Sequence, residues 1–498
     1  MAYFTGMLHR RLIATLGLGA VALTACSSAP LPASLSDPQP VVTTDGGGSG
    51  SGTTGAVPGT SGTTGAVPGA TGTTGGATGT SGTSGVVQGT GGTAGSATSG
   101  TGGSTTGQPP VDTSSVHLFT AKEDRIGITP TSISLCAHAA LTYAPAFHTE
   151  PKDLNVFWTA MNAKGGVFGR KVTEDYKDDA YDPQKAVEAA KACVAEKPFL
   201  MLGGIGFDQI PTVRNYAESV HQLYVYHTAT IKGSENLKYS FTPLPTVEGM
   251  GDGFAELALA KFKGKRIGIL KRDSTNWEPG VTEFKKRAAQ YGLQIVDEEK
   301  AAASAGNYTS QITNLHNAKA DVVWIWLNAL ETTEVIKQMR AQVWSPHVMV
   351  FPFNLTSQTL GSDALNPVMD GVAMYPAFSK GDYSGTFASY ADDMKEFEAQ
   401  YAQYDSGADL SGVAGDLLFL NWVGQKALYK SLIACGKDCT RNRFVELMQK
   451  SAVKPLSSGC PVSFADGHHG GHFVTTMETY RSPSGSVNWR ETKKCLAI

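Results

Sequence analysis

The sequence predicts an α/β protein built from two doubly wound parallel-sheet lobes with a hinge between them. Between Arg125 and Phe351, short apolar runs alternate with amphipathic stretches, a pattern typical of βα units and a parallel sheet. The alternation occurs as two similar series that meet near Pro243. The segment from about Ala121 to Ile498 is also long enough for two domains of ordinary size.

The first series opens the folded segment. Asp182 and Pro183 form a good N-cap and first helical position, and they fix the start of one of its helices. The predicted elements are an opening strand region of 125–128 with 133–135, helix 153–163, strand 171–176, helix 183–196, strand 199–202, helix 210–220 and strand 223–226.

The second series follows Pro243, and after Gly371 the chain becomes mainly helical. Ligands of doubly wound sheets bind beyond the carboxyl ends of the strands, so we expect the functional residues in the loops after each strand. The predicted elements are helix 247–262, strand 266–270, helix 279–291, strand 293–296, helix 308–317, strand 321–327, helix 330–342, strand 348–351, helices 386–404, 416–434 and 441–451, and a closing hairpin of 462–464 with 473–480.

Residues 1–25 predict a lipoprotein signal peptide. Arg10 and Arg11 supply its positive region, and residues 12–23 form an apolar stretch too short for a comfortable membrane span. Cys26 follows Leu-Thr-Ala, which resembles the bacterial lipobox, and we therefore predict a lipid anchor on Cys26 at the extracytoplasmic face of the membrane. The alternative is an ordinary signal peptide with an incidental cysteine. The residues around the arginine pair fit twin-arginine export poorly and favour the general secretory route.

Residues 26–120 predict a flexible linker. From 41 to 110 the chain is almost entirely Gly, Thr, Ser and Ala, with an imperfect ten-residue repeat that begins at Thr53 and again at Thr63. Such a segment has too little apolar surface to offset its ordering entropy. Roughly 70 flexible residues have a root-mean-square reach near 45 Å, enough to hold a domain away from the membrane.

Charge and cysteine content narrow the class of protein. A net charge of -3 gives no sign of the basic face that nucleic-acid binding requires. Six cysteines remain after Cys26, and an even number in an exported chain indicates disulfides, although six cysteines permit fifteen pairings. The favoured pairs are Cys136–Cys193, Cys435–Cys439 and Cys460–Cys495. Cys435 and Cys439 have the wrong spacing for a C-x-x-C redox motif, and no second ligand pair accompanies them.

The stretch 162–171, Asn-Ala-Lys-Gly-Gly-Val-Phe-Gly-Arg-Lys, resembles the turn after the first helix in the leucine/isoleucine/valine-binding protein family. The stretch 178–183, Asp-Asp-Ala-Tyr-Asp-Pro, and Leu-Gly-Gly at 202–204 continue that family's pattern in the correct order and spacing. The resemblance covers about 125–480.

The resemblance implies a periplasmic binding protein type I fold, two lobes that close on a small solute, and an ABC permease in the membrane that receives it. It implies crossovers near 241–245, 375–378 and 453–457, with a first lobe of 121–243 and 376–454 and a second of 244–375 and 455–498. Such a protein is not an enzyme and needs no cofactor. An amino acid, an amide, or an aromatic or apolar organic compound is the expected solute.

The resemblance also assigns five ligand-binding candidates to the first lobe. Thr228 and Thr230 keep the hydroxyls that hold a ligand carboxylate in amino-acid binders. Phe207 and Asp208 depart from the small residues of that family, and an Asp beside a ligand carboxylate would be repulsive, so Asp208 can instead pair with a Lys or Arg. Tyr143 lies in the loop after the first strand.

On the second lobe the candidates are Trp277, Asn328, Phe353 and Asn354. Trp277 matches a loop whose aromatic residue covers the ligand, and Asn328 follows a strand at another ligand-facing position. Phe353 stands where amino-acid binders carry the acid that pairs with the ligand ammonium, so aromatic walls favour a flatter or more apolar solute. Each aromatic residue can alternatively belong to the core.

Three rival functions are weighed against this one. The first, a structural wall protein, does not explain a double βα series that forms a cleft. A sensor lobe that reports ligand without transport has the same sequence features. An exported hydrolase would need a nucleophile elbow, and the nearest approach, Ala-Ala-Ser-Ala-Gly at 302–306, lacks the first glycine. His468, His469 and His472 suggest a metal site, but their glycine-rich flanks indicate a hairpin turn, and we predict no metal.

Overall fold

The structure is a computed structural model. It describes residues 114–143, 149–203, 208–226, 237–303, 305–352, 369–373, 378, 390–465, 470–481 and 487–498. The predicted signal peptide, Cys26 and the linker up to residue 113 lie outside the described residues.

The first lobe contains a five-stranded sheet in which all pairs of neighbours are parallel. Its order is β2-β1-β3-β4-β5, so the chain starts near the middle and adds strands on both sides. This order places the carboxyl ends of β1 and β3 next to each other. The strands are β1 Ser132–Ala139, β2 Lys171–Asp178, β3 Leu200–Gly203, β4 Tyr224–Tyr226 and β5 Ser240–Phe241.

The second lobe contains a seven-stranded sheet of order β14-β13-β10-β9-β8-β6-β7. Strands β7, β6, β8, β9 and β10 are parallel, while β13 and β14 add an antiparallel edge. A separate antiparallel pair is formed by β11 Ala452–Val453 and β12 Val462–Ser463. The sheet strands are β6 Arg266–Arg272, β7 Gln294–Ala301, β8 Val322–Trp326, β9 His347–Val350, β10 Met369–Ala373, β13 Phe473–Arg481 and β14 Val487–Ala497.

Helices cover both faces of each sheet, as a doubly wound fold requires. In β8, Val323 and Ile325 join the cluster that contains Ile312 and Val335, while Trp324 and Trp326 pack on the opposite face with Phe254. The helices are α1 Pro151–Leu154, α2 Val156–Ala163, α3 Pro183–Ala195, α4 Ile210–Ser219, α5 Val247–Phe262, α6 Glu278–Tyr291, α7 Thr309–Asn317, α8 Ala329–Ala341, α9 Ala391–Tyr404, α10 Gly412–Cys435 and α11 Arg441–Lys450.

Local signals explain where several elements begin and end. Asp182 caps α3 by accepting a hydrogen bond from the Lys185 N–H at 2.8 Å, as its position before Pro183 predicts. In the turn before β2, the Asn162 side chain accepts from the backbone N–H of Val172 at 2.8 Å and donates to the Val172 carbonyl at 2.7 Å. Gly166 has φ +65, and a Cβ there would lie 2.0 Å from the Arg170 carbonyl oxygen, so this turn requires glycine.

Three disulfides join the described parts of the chain. Cys136–Cys193 links β1 to α3, Cys435–Cys439 links the end of α10 to the start of α11, and Cys460–Cys495 ties the segment before β12 to β14. These are the three pairs favoured by the sequence analysis among the fifteen possible sets.

The closing hairpin is a correction to the prediction. Residues 462–464 do not pair with 473–480. Instead β12 pairs with β11, and β13 pairs with β14 and β10. The prediction missed β14, whose sequence Val-Asn-Trp-Arg-Glu-Thr-Lys-Lys-Cys-Leu-Ala carries many charges because it is the edge strand of its sheet.

Two boundaries also differ from the prediction. The helix expected over 153–163 is divided at Asn155, which ends α1 and precedes α2. Residues 114–120, assigned to the linker, pack against α11, where Phe119 is 5% exposed and its N–H donates to the Asn442 side chain at 3.0 Å. Within the described part of the chain, none of the helices has the length and apolarity to cross a membrane.

Candidate functional site

The two lobes meet through a contact between loops that follow strands of the two sheets. Asp208, between β3 and α4 of the first lobe, accepts hydrogen bonds from the Ser274 Oγ at 3.2 Å and the Asn276 Nδ2 at 3.1 Å. The Arg272 guanidinium at the end of β6 lies 3.6 Å from the other Asp208 oxygen. We call these four residues the inter-lobe contact. It marks the place where carboxyl ends of parallel strands from both lobes face each other.

Arg272 is held in place from the second lobe. Its side chain is 7% exposed and lies 3.4 Å from a carboxylate oxygen of Glu331. Glu331 belongs to the capping box of α8, in which Asn328 accepts from the Glu331 N–H at 3.0 Å and Glu331 accepts from the Asn328 N–H at 3.2 Å. The guanidinium also lies 6.0 Å from the ring centroid of Trp277. A buried arginine is therefore fixed by two carboxylates and one indole.

Asp178 orders the first-lobe loop that follows β1. Asp178, the last residue of β2, accepts from the N–H groups of Leu141 at 3.0 Å and Thr142 at 3.3 Å. This places Tyr143, whose ring stacks on Tyr181 with centroids 4.6 Å apart. Tyr181 has φ 60, an unusual conformation for a residue other than glycine, and strain of this kind concentrates at functional sites.

Asp179 starts a fully buried chain of polar side chains. It lies 2.7 Å from the His138 Nδ1, and the His138 Nε2 lies 2.7 Å from the Tyr224 hydroxyl. In the tautomer that carries its proton on Nδ1, His138 donates to the Asp179 carboxylate and its Nε2 accepts from the Tyr224 hydroxyl. The hydroxyl in turn covers Gly203, where a Cβ would lie 2.3 Å from it. The chain thus links the carboxyl ends of β1 and β2 to Tyr224, the first residue of β4.

A cavity lies between these strand ends and the helices that cover this face of the first lobe. Most of its surface is apolar, and the buried Glu174 carboxylate closes one side. Burial raises the pKa of Glu174 to about 7, although hydrogen bonds from Gln425 and Trp158 act in the opposite direction. Its lining includes His138, Ala139, Tyr181, Gly203, Leu417 and Asn421.

Trp277 and Asn328, the two predicted second-lobe residues that the structure describes, both make contacts that stabilise the fold. Trp277 is 1% exposed and packs edge-on against Trp326, whose indole N–H donates to the Trp277 carbonyl at 3.0 Å. Asn328 caps α8. A direct ligand contact by either residue stays a prediction.

The first-lobe candidates have different outcomes. Tyr143 reaches the stack with Tyr181, and Asp208 contacts the other lobe, including the arginine that the sequence analysis allowed as its partner. The remaining five candidates of the two lobes, Phe207, Thr228, Thr230, Phe353 and Asn354, lie outside the described residues.

The histidine motif is described only in part. His468 and His469 lie outside the described residues, while the His472 Nε2 is 3.0 Å from the Ser463 carbonyl oxygen. Among the described residues, no group of three His, Cys, Asp or Glu side chains is arranged to hold a metal.

The sequence analysis missed Tyr181, His138 and Arg272. Tyr181 stands in the Asp-Asp-Ala-Tyr-Asp-Pro stretch directly after β2, so the rule that ligands lie beyond strand ends could have selected it. Arg272 likewise ends β6, but a charged residue there gives no sign of a partner in the other lobe. His138 looks like an ordinary strand residue, and only the approach of Asp179 and Tyr224 shows its role.

Comparison with known proteins decides the family. The family model described as "Periplasmic binding protein" matches residues 158–484. The chain belongs to this family. Both lobes and their parallel sheets agree with the type I fold that its structural neighbours share, and the recognised relatives are solute-binding proteins rather than enzymes.

Individual relatives share only a small part of their sequence with this chain. The Leu/Ile/Val-binding protein BraC3 of Rhizobium johnstonii is 27% identical over 169 residues, which are 33% of this chain and 45% of that protein. The chain thus spans less than half the length of this curated relative.

Two solved structures share the fold. A fatty acid ABC transporter substrate-binding protein from Thermomonospora curvata has a TM-score of 0.60 at 17% identity, covering 75% of this chain and 94% of that one. A solute-binding protein of an ABC transporter from R. palustris, in complex with 4-hydroxybenzoate, has a TM-score of 0.60 at 18% identity, covering 73% and 97%.

Proposed function

We propose that this chain is an extracytoplasmic solute-binding lipoprotein that captures a small molecule between its lobes and delivers it to an ABC permease. Cys26 carries the lipid, and the glycine-rich segment after it is the tether. The observation that carries the proposal is the inter-lobe contact, because it brings the carboxyl ends of β3 and β6 from two separate sheets together. Solutes of open α/β sheets bind at such ends.

The described first-lobe wall supports an apolar or aromatic solute. The stacked rings of Tyr143 and Tyr181 and the mostly apolar cavity beside them offer surface for dispersion and ring contacts. Relatives named for branched-chain amino acids, for a fatty acid and for 4-hydroxybenzoate span this range of chemistry. We rank aromatic carboxylates first, because two tyrosine rings at one site suit a flat molecule.

A thermal-shift and calorimetry panel tests this proposal. The full chain is mixed with leucine, valine, 4-hydroxybenzoate, benzoate and a long-chain fatty acid. A solute present at one hundred times its dissociation constant adds about 2.7 kcal/mol to the free energy of unfolding. Replacing Tyr181→Ala should weaken binding of an aromatic solute about tenfold, given the energy of an aromatic pair beyond its area. Phe168→Ala, an aromatic residue 45% exposed in the turn before β2, is the control and should leave binding unchanged.

The anchor has its own test. Cells expressing the full chain are labelled with a radioactive fatty acid and partitioned with detergent. We expect label on the wild type and none on Cys26→Ser, which should move to the aqueous phase. Equal labelling of both chains would refute the anchor while leaving solute capture intact.

A further inference from the structure

The inter-lobe contact involves one carboxylate of the first lobe and three donors from the end of β6 and the loop after it in the second. Asp208 accepts from Ser274 and Asn276 and faces Arg272, which is the last residue of β6, while Ser274 and Asn276 lie within four residues after it. The Asp208 side chain keeps 22% of its surface exposed, so the contact lies at a rim that water reaches.

The electrostatics favour retention of this contact. Arg272 is 7% exposed, and burial of a charge is costly unless the charge is paired. Glu331 supplies one partner from within the second lobe and stays beside Arg272 in any lobe arrangement. Asp208 supplies the other only when the lobes are together. Separation of the lobes therefore removes a carboxylate from Arg272 and two donors from Asp208.

We propose that Asp208 is a latch that stabilises the closed arrangement of the lobes, through Arg272, Ser274 and Asn276. This inference rests on the proposed capture of a solute between two lobes, and it adds the residues that set the balance between open and closed forms. Because these bonds form only when the lobes are together, they favour the closed arrangement and lower the conformational cost of binding, which raises the apparent affinity.

The size of the effect follows from the exposure of the contact. Partly exposed ion pairs and their hydrogen bonds are each worth about 1 kcal/mol or less, so loss of the set should shift the open-to-closed ratio about tenfold. Salt should weaken the Asp208–Arg272 attraction but affect the two neutral donors little.

The test measures the distance between the lobes in the full chain without solute. Spin labels are attached to a genetically encoded keto amino acid at Asn215 on α4 and Thr282 on α6, both exposed and on the helices that follow the two contacting loops. This chemistry leaves the disulfides untouched. Double electron–electron resonance then gives the distance distribution for each variant.

We expect Asp208→Ala to increase the ratio of open to closed forms about tenfold, seen as population at longer distances. High salt should shift the wild type in the same direction by a smaller factor and should leave this variant unchanged. The double variant Ser274→Ala with Asn276→Ala removes two donors without disturbing charge, and should have an intermediate effect. Asp273→Ala is the matched control, because Asp273 lies in the same loop but pairs with Lys300 of its own lobe at 3.4 Å.

The outcomes separate the latch from the proposed function. An unchanged distribution in Asp208→Ala overturns the latch, and if a solute of the panel still binds, the proposed function stands. A shift of the same size in Asp273→Ala also overturns it, since the effect would then belong to the loop in general. A distribution fixed in every variant, together with no binding by any solute of the panel, overturns both.

Discussion

The buried Glu174 predicts an unusual pH dependence of stability. Glu174 lies on β2 and is 6% exposed, and one of its carboxylate oxygens accepts from the Trp158 indole N–H at 2.6 Å and the Gln425 amide at 2.8 Å. These donors are neutral, so burial dominates and raises its pKa from 4.5 to about 7. Replacing it by glutamine keeps an acceptor oxygen for both donors and removes the ionisation.

The sign follows from proton linkage. The folded chain binds the Glu174 proton more tightly than the unfolded chain, so the free energy of unfolding falls as pH rises from 4.5 to about 7 and then stays level. At about 1.4 kcal/mol for each pKa unit, the full loss is about 3 kcal/mol, of which about 2.5 kcal/mol falls between pH 5 and pH 8. Glu174→Gln should lack this loss.

Urea unfolding of the full chain, followed by far-ultraviolet circular dichroism at pH 5 and pH 8, measures the difference. The unfolding free energy of Glu174→Gln relative to wild type should rise by about 2.5 kcal/mol between the two pH values. Glu188→Gln, an exposed residue of α3, is the control and should follow the wild type. Parallel pH dependences for wild type and Glu174→Gln would refute the reasoning, because they would mean that the carboxylate is solvated or paired with a cation.

Two further predictions concern the scaffold. Removing the β1–α3 disulfide by Cys136→Ala with Cys193→Ala should lower the free energy of unfolding in urea by about 4 kcal/mol, because its 57-residue separation restricts the unfolded chain. The α10–α11 disulfide spans only four residues, so its removal should lower the free energy of unfolding by about 2 kcal/mol. Equal losses would contradict the chain-entropy argument. Gly251→Ala places a Cβ 2.0 Å from a carbonyl oxygen of α6 and should lower the free energy of unfolding by roughly 1–3 kcal/mol, despite the better helix propensity of alanine. Gly249→Ala in the same helix meets only a flexible side-chain end and should be neutral or stabilising, and a stable Gly251→Ala would show that α5 and α6 can move apart.

Much of the fold could be predicted because local signals and the global architecture agree. The helix Val247–Phe262 has the predicted bounds, and the α3 start follows from its Asp182 cap. The exceptions arise where tertiary contacts override local pattern. The strand Met369–Ala373 has only five residues, and β14 is too charged to be predicted as a strand without its pairing to β13. The failed hairpin has the same origin, because strand pairing is a non-local choice.

The candidate site was less predictable than the fold. The rule that ligands lie beyond strand ends located Tyr143, Asp208 and Asn328, yet it could not say what each side chain touches. Asp208 was expected to face a ligand or a cation, and the structure gives it an arginine and two neutral donors of the opposite lobe. Trp277, selected as a cover for the solute, is packed against Trp326.

The sequence alone determined the class of this protein through two βα series, the Asn-x-x-Gly-Gly turn, and an even number of cysteines after Cys26. These depend on periodicity and on backbone conformations that few residues adopt, both of which are properties of short stretches. Only the tertiary structure decided which side chains meet across the chain, such as Asp179 with His138 and Asp208 with Arg272. Such pairs are separated by tens of residues, and their energies depend on burial and on distances of a few ångströms, which exist only after both lobes have folded.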